Sequence, residues 1–406
     1  MIGPDVPLLF VTRSVRLFAY GLVSVVLVLH LEAAGLATRD IGLLLTLTLL
    51  GDTALSLVIT THADRVGRRA MLRVGALLML VAGGTFVLTR SFWLLLAAAT
   101  VGVISPSGNE VGPFLAIEQA ALSQEVPAER RTSTFAWYGL AGSLATAAGA
   151  LAAGMLAGTL QRRGAAPLSS YRAVLAAYAA LGLVLLGLFT RVSPAAEVPA
   201  RAADARPVSS RLGLHRSRGV VLRLSALFSV DAFAGGLVVQ SFVALWFHRR
   251  FGAGPEALGA IFFGANVLAG FSALAASAIA RRIGLVNTMV FTHLPSNVLL
   301  ALVPFMPTAP LATAVLLARF SISQMDVPTR QSYTLAVVDP DERSAAAGVT
   351  GISRTIGAAL APAVAGPLYA SAALSGVPFI ASGLLKIGYD VALWRSFRRV
   401  KPPEER

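Results

Sequence analysis

The chain has no cysteine, which excludes disulfide bridges, thiolate metal sites and cysteine nucleophiles. Its five histidines are scattered, and none has the spacing of a zinc site. Charge is scarce: Asp, Glu, Lys and Arg make up 13% of 406 residues, against roughly 25% in soluble domains. So little charge does not cover a water-facing surface. A Gly-rich phosphate loop ending in Gly-Lys-Ser/Thr is missing, so ATP is not the expected energy source. Without a nucleophile, metal or phosphate constellation, an enzyme or a membrane-embedded sensor is a minor alternative. The N-terminus lacks a basic segment followed by a cleavage site, so the first apolar run is expected to be retained.

What is present is apolar: 56% of residues are hydrophobic and the mean hydropathy is +0.72. Crossing a bilayer takes about 20 apolar residues. Candidate spans fall at 8–31, 41–61, 70–88, 92–121, 133–158 and 171–191, then at 221–247, 256–279, 286–305, 311–337, 345–370 and 378–396. Between the two sets of six, a stretch rich in Pro, Ala, Ser and Arg reads as a linker. The expected division is an N-terminal bundle at 1–192, a cytoplasmic linker at 193–219 and a C-terminal bundle with a short basic tail at 220–406. With both termini inside, the cytoplasmic segments collect 21 Arg and Lys against seven outside. That bias predicts a multi-pass protein of the cytoplasmic membrane with both termini cytoplasmic. It also accounts for the net charge of +14, since the arginines cap apolar runs and form no basic, aromatic-studded groove for nucleic acid.

The halves repeat one another. Asp64-Arg65-Val66-Gly67 after the second span corresponds to Arg281-Arg282-Ile283-Gly284 after the eighth, and Pro127-Ala128-Glu129-Arg130 corresponds to Pro340-Asp341-Glu342-Arg343. Parallel repeats related by an axis along the membrane normal are a transporter architecture, with substrate bound between them near mid-membrane. Two such halves suffice for one path, so the expected state is a monomer in lipid with a small-molecule substrate. Asp64, beside the start of the third span, is expected to accept from that helix's free amides. Arg68 and Arg69 follow Gly67 closely. The bland alternative is that these arginines only anchor the loop to anionic lipid.

On these residues the chain resembles the major facilitator superfamily. The signature loop between helices two and three is matched by Asp64, Arg65, Gly67, Arg68 and Arg69, with Thr60 where the signature has Gly. The glycine-rich helix of the antiporter branch is similar to helix eleven here, at Gly348, Gly357, Ala361-Pro362 and Ala365-Gly366; helix five carries Gly139, Gly142, Gly149 and Gly154 without that branch's proline. The resemblance implies an all-α membrane protein with twelve transmembrane helices in two pseudo-symmetric six-helix bundles. It implies a cytoplasmic gate in which Asp64, Arg65, Arg68 and Arg69, with Arg281 and Arg282 in the second half, latch the halves. It also implies that helices one, four, seven and ten line the central cavity.

Ionisable residues inside spans are costly and are functional candidates by default. Arg16 and Tyr20 lie one turn apart on helix one, and Arg13 is expected to snorkel. Asp52 follows Gly51 in helix two, for transport or for packing. Helix four carries Glu118 and the break Ser105-Pro106-Ser107-Gly108-Asn109-Glu110-Val111-Gly112-Pro113, which is expected to bring Asn109 and Glu110 to substrate or proton. Asp231 lies on helix seven, and Gln324, Asp326 and Arg330 on helix ten. The i, i+4 pair Asp326 and Arg330 can neutralise itself. Lys386 and Asp390, equally spaced on helix twelve, read as a structural pair. Arg354 near mid-membrane needs an anion: Asp231, Glu110 or an acidic substrate.

These residues predict a proton-coupled secondary transporter that exports a small organic molecule by antiport. Glu110 and Asp231 are the first candidate proton carriers and Asp52 the next. No cofactor beyond the coupling proton is expected. The second reading is a carrier of an anionic metabolite clamped by Arg16, Arg330 and Arg354.

Overall fold

Inside a bilayer a backbone amide finds no water, so so apolar a chain satisfies its hydrogen bonds within helices. The computed structural model describes residues 3–110, 112, 114–197, 214–339 and 342–400, with backbone alone at 60–65, 128–129, 132 and 344. Among the described residues there are helices and no strands. The first half comprises α1 (Val6–Ala33), α2 (Thr38–Val66), α3 (Arg68–Leu88), α4 (Phe92–Val101), α5 (Phe114–Glu125), α6 (Ala128–Arg162) and α7 (Pro167–Thr190). The second comprises α8 (Arg218–Gly236), α9 (Gln240–Phe251), α10 (Pro255–Ile283), α11 (Leu285–Leu302), α12 (Ala309–Phe320), α13 (Asp326–Ala336), α14 (Arg343–Ala370) and α15 (Val377–Phe397).

Nine helical segments among the described residues are long and apolar enough to cross a membrane, with α8 and α9 counted as one. The fourth, seventh and tenth expected spans are each broken in two. Between α4 and α5 the positive φ angles of Gly108 (71°) and Gly112 (81°) turn the chain out of helical geometry. Between α12 and α13 the chain turns over residues 321–325, and Pro328 sits in the first turn of α13, where a missing amide costs nothing.

Two compact units result. The first holds the N-terminal helices together with Val239–Asn266, and the second holds the rest of the C-terminal half. Compactness therefore does not divide simply at the linker. The reason lies in α9, where Ser241 Oγ donates to Ser24 O at 2.8 Å and Pro106 O at 2.6 Å, and Gln240 Nε2 donates to Ser24 Oγ at 2.7 Å. In the first unit α1 packs on α6 and α3 on α7; in the second α8 packs on α14 and α11 on α15. The repeat seen in the loops is thus a repeat of helix pairings. Gly21 and Gly149 bring the backbones of α1 and α6 together, and Gly236 and Gly357 do the same for α8 and α14, with no room for a Cβ. Small residues at such crossings give the close packing that membrane helices rely on. Part of the glycine pattern in helices five and eleven is therefore a packing pattern.

Each unit also has a positive-φ glycine between its second and third membrane helices, Gly67 at 111° and Gly284 at 86°. Behind Gly67, the free amides at the start of α3 bond to a carboxylate from the far side of the unit: Glu197 accepts from Arg68 N at 2.7 Å and Arg69 N at 3.2 Å. The expectation assigned this role to Asp64, whose side chain lies outside the described residues, as does that of Arg65. Arg68 is buried and donates to Gln124 Oε1 at 3.0 Å and Ala196 O at 3.2 Å, so the start of the linker is strapped to α3 and α5. The linker's far end is held the same way: Glu342 accepts from Arg216 N and Ser217 N, both at 2.8 Å, and from His215 N. Residues 198–213 of the expected linker and 401–406 of the tail lie outside the described residues.

Two outcomes follow for the straps. Glu197→Ala removes an N-terminal cap and should lower stability by about 1 kcal/mol, read as a lower thermal midpoint that Glu197→Asp partly restores. Hydrogen bonds from Ser217 and the neighbouring amides hold the Glu342 carboxyl below its ordinary 4.5, at about 2. A depressed carboxyl stabilises the fold above the ordinary value and loses that contribution as pH falls through the folded one. The midpoint difference between wild type and Glu342→Gln should therefore be full near neutral pH and shrink progressively below about pH 4.5.

Candidate functional site

The charged residues of the spans gather into two clusters, one in each unit. In the first, α1 carries Arg13 and Arg16 on one face, and the irregular segment before α5 delivers Glu110. Arg16 is fully buried and forks onto Glu118 of α5, with Nη1–Oε1 at 2.8 Å and Nη2–Oε2 at 2.7 Å. Its Nε donates to Glu110 Oε1 at 2.8 Å, and Arg13 Nη1 donates to Glu110 Oε2 at 2.9 Å. Thr12 Oγ1 at 2.9 Å and the Tyr138 hydroxyl complete the shell of Glu118. The Arg13 guanidinium lies over the Tyr138 ring at 4.3 Å, and Arg16 lies over Phe114 at 4.7 Å. Two cations and two anions balance. Gly142 of α6 leaves the space that Arg13 occupies.

This corrects the reading of Arg13 as a snorkelling residue, since its charge turns inward to Glu110. It also changes the standing of Glu110. Both of its oxygens are engaged by guanidinium groups, so it serves first as their partner. Asn109, its neighbour, is exposed, and its carbonyl accepts from Ser105 Oγ at 2.7 Å. Tyr20 is completely buried one turn beyond Arg16.

The second cluster centres on Asp231 of α8. Lys386 Nζ of α15 lies 2.5 Å from its Oδ1, and Arg330 Nη1 of α13 lies 3.3 Å from its Oδ2. Arg330 also bonds Asp326 Oδ2 at 2.7 Å, the i, i+4 pair its spacing allows. Lys386 and Asp390 do not pair: Lys386 reaches across to α8, while Asp390 faces His293 Nδ1 at 2.9 Å and Asn297 Nδ2 at 2.9 Å on α11. The expected structural pair on helix twelve is replaced by two cross-helix contacts, because buried charges on this helix find nearer partners on its neighbours. Gln324 is half-buried, and its amide donates to Ser272 Oγ at 3.3 Å.

Three candidates stand apart from both clusters. Asp52 is buried half-way along α2, and among the described residues no cation lies within salt-bridge distance and its Oδ1 has no hydrogen-bond partner. The packing role belongs to the preceding Gly51, set against Thr100 of α4. Arg354 of α14 and Arg319 of α12 have no carboxylate within 4 Å among the described residues, and Arg319 Nε is buried without a partner. Neither Asp231 nor Glu110 has become the anion that Arg354 was expected to find. Arg281 and Arg282 are exposed at the end of α10. Sequence reasoning passed over His293, Asn297, Tyr138 and Thr12. A histidine in the middle of the ninth span was the available signal for the first; the other three look like ordinary helix residues until their neighbours are known.

The first cluster makes a sharp prediction. Glu118→Gln leaves Arg16 buried with half its partners, a change that costs about 3–5 kcal/mol when an ion pair is broken inside a protein. Little monodisperse protein should be recovered in detergent. The double variant Arg16→Met with Glu118→Leu removes both charges and should recover more, as size-exclusion profiles will report.

Comparison with known proteins bears on the fold and the family. The chain is 31% identical over 417 residues to an uncharacterized membrane protein of Saccharomyces cerevisiae, covering 96% of this chain and 93% of that one. Among solved structures it is similar to the nucleoside transporter NupG, with a TM-score of 0.72 at 13% identity over 97% and 98% of the two chains. It is also similar to a D-xylose-proton symporter, with a TM-score of 0.74 at 14% identity over 96% and 97%. The human organic anion transporter MFSD10 matches with a TM-score of 0.63 at 17% identity over 96% and 98%. At these identities the structures speak for the fold. The family model of the Major Facilitator Superfamily matches residues 9–362, and with a yeast relative at 31% identity along nearly the whole chain, the protein belongs to the major facilitator superfamily.

Proposed function

We propose that this integral multi-pass membrane protein is a proton-coupled secondary transporter that carries a small organic molecule out across the cytoplasmic membrane by alternating access, with Asp52 as the proton-carrying carboxylate. The supporting observation is the contrast among the carboxylates within the spans. Glu110, Glu118, Asp231 and Asp326 each face at least one cation, and Asp390 faces an imidazole and an amide. Asp52 faces no cation among the described residues. A carboxylate without a counter-charge at membrane depth is costly to ionise, so loading and releasing a proton there changes the energy of a conformation. Glu110 and Asp231 then act as structural anions that hold the arginines. Export rests on the likeness of helices five and eleven to the antiporter branch. A D-xylose-proton symporter is among the structural neighbours, so direction must be measured.

A second reading, an anionic substrate, draws support from Arg319 and Arg354. The cations of both clusters each have a carboxylate within 4 Å, and among the described residues these two guanidinium groups do not. Guanidinium groups without internal partners suit carboxylate or phosphate ligands. The human organic anion transporter among the neighbours is consistent with such a use of this fold. Arg16 and Arg330, committed to Glu118 and Asp326, leave the proposed clamp.

Two experiments separate the readings. A thermal-shift screen of the purified protein, in which a ligand of the folded state raises the midpoint by mass action, supplies a transported probe. In proteoliposomes, Asp52→Asn should keep counterflow of that probe while losing at least about tenfold of the transport driven by a pH gradient, a coupling of about 1.4 kcal/mol. Transport that still follows the gradient in this variant overturns the assignment of Asp52. If the substrate is an anion, the affinity for organic carboxylates or phosphates read from the thermal shift should fall about tenfold in Arg319→Ala or Arg354→Ala, again about 1.4 kcal/mol. Wild-type protein that responds only to cations or neutral compounds overturns the second reading.

A further inference from the structure

His293 lies midway along α11, buried, with a carboxylate at each ring nitrogen. Nδ1 is 2.9 Å from Asp390 Oδ1 and Nε2 is 3.9 Å from Asp231 Oδ1. Asn297, one turn further on, has its Nδ2 2.9 Å from Asp390 Oδ2 and 3.1 Å from His293 Nδ1. The ring is held edge-on against Tyr389 at a centroid distance of 6.1 Å. Its nitrogens are thus aimed along a line that runs from α15 to α8.

The charged groups around this line come from five other helices. Lys386 and Asp390 lie on α15, Asp231 on α8, and Asp326 and Arg330 on α13. Arg319 on α12 and Arg354 on α14 stand farther off, beyond salt-bridge distance but within electrostatic reach of Asp231. The groups in direct contact carry two cations, Lys386 and Arg330, against three anions, Asp231, Asp326 and Asp390. A neutral imidazole leaves these groups one negative charge in excess, and a second ring proton, forming the imidazolium, closes that balance. With Asp390 ionised, the Nδ1–Asp390 contact takes the neutral ring's N–H at Nδ1 and leaves Nε2 as the imine nitrogen. On the ring a further proton goes to the Nε2 lone pair, which faces Asp231.

We propose that His293 is a proton-binding residue of the second unit, taking its proton at Nε2 in the gap to Asp231 while Asp390 and Asn297 orient the ring. The proton comes from water and adds to the lone pair; no other bond breaks. The charged imidazole then competes with Lys386 for Asp231 Oδ1, and so weakens the ion pair that ties α15 to α8. Its role in transport rests on the proton-coupled reading above; the proton binding itself does not. Histidine suits this task because its charge changes near physiological pH.

The test is nuclear magnetic resonance of the full chain in lipid nanodiscs with ¹⁵N-labelled imidazoles, recorded from about pH 5 to about pH 9. The His293 signal is identified by its absence in His293→Gln. If that variant does not fold, a chain with the other four histidines replaced leaves His293 as the single imidazole. The expected result is that Nε2 passes from the imine to the protonated form within this window and that Asp390→Asn and Lys386→Met change its titration, while Asp52→Asn does not. A His293 that keeps one form throughout, or titrates identically in Asp390→Asn, overturns the proposal. Should pH-gradient-driven transport survive in Asp52→Asn while His293 titrates as expected, the assignment of Asp52 fails and His293 stands.

Discussion

The cost of placing an ion in lipid governs this structure, and the forked bond between Arg16 and Glu118 is its clearest answer. A guanidinium with no exposed surface is tolerable only when each face of its charge meets an acceptor. Glu118 supplies two oxygens, Glu110 a third, and Arg13, Thr12 and Tyr138 fill the remaining positions. Because Glu110 hangs from an irregular segment rather than a helix, the cluster also dictates where helix four breaks. The glycines at 108 and 112 let the chain make that turn, and Gly142 leaves room for Arg13. Packing and electrostatics here are one constraint.

The two units apply the same helix pairings to different chemistry. α1 on α6 and α8 on α14 are equivalent glycine-lined crossings. Yet the first cluster pairs two cations with two anions, while the second sets an imidazole between carboxylates. A duplicated scaffold allows this division of labour, because backbone packing is set by small residues at the crossings and the charged positions are free to diverge. The linker joins the units at two carboxylate straps. Glu197 and Glu342 each gather backbone amides, so its ends are fixed to the bundles whatever the chain between them does.

Much of the fold was legible in the apolar runs, because a segment that must satisfy its own amides in lipid has little choice but a helix. The breaks near Pro106 and Pro328 could be anticipated at the first and were missed at the second, where a proline in a first turn starts a helix instead of interrupting one. Candidate site residues were legible as a set but not as partners. Spacing suggested Lys386 with Asp390, and the structure chose Lys386 with Asp231 and Asp390 with His293. An i, i+4 interval says that two side chains share a face; it does not say what a neighbouring helix offers to that face. Asp64 and Arg65, central to the loop signature, leave their side chains outside the described residues.

The sequence by itself determined the solvent, the helical class, the internal repeat and the family, since each depends on composition or on spacing along one chain. Only the tertiary structure decided which charges cancel. That is settled between helices, over distances of about 3 Å where a salt bridge forms or fails. It commits Glu110 to two arginines, leaves Asp52 without a cation among the described residues, and sets His293 between two carboxylates, pairings of residues dozens of positions apart that only the packing of helices brings together.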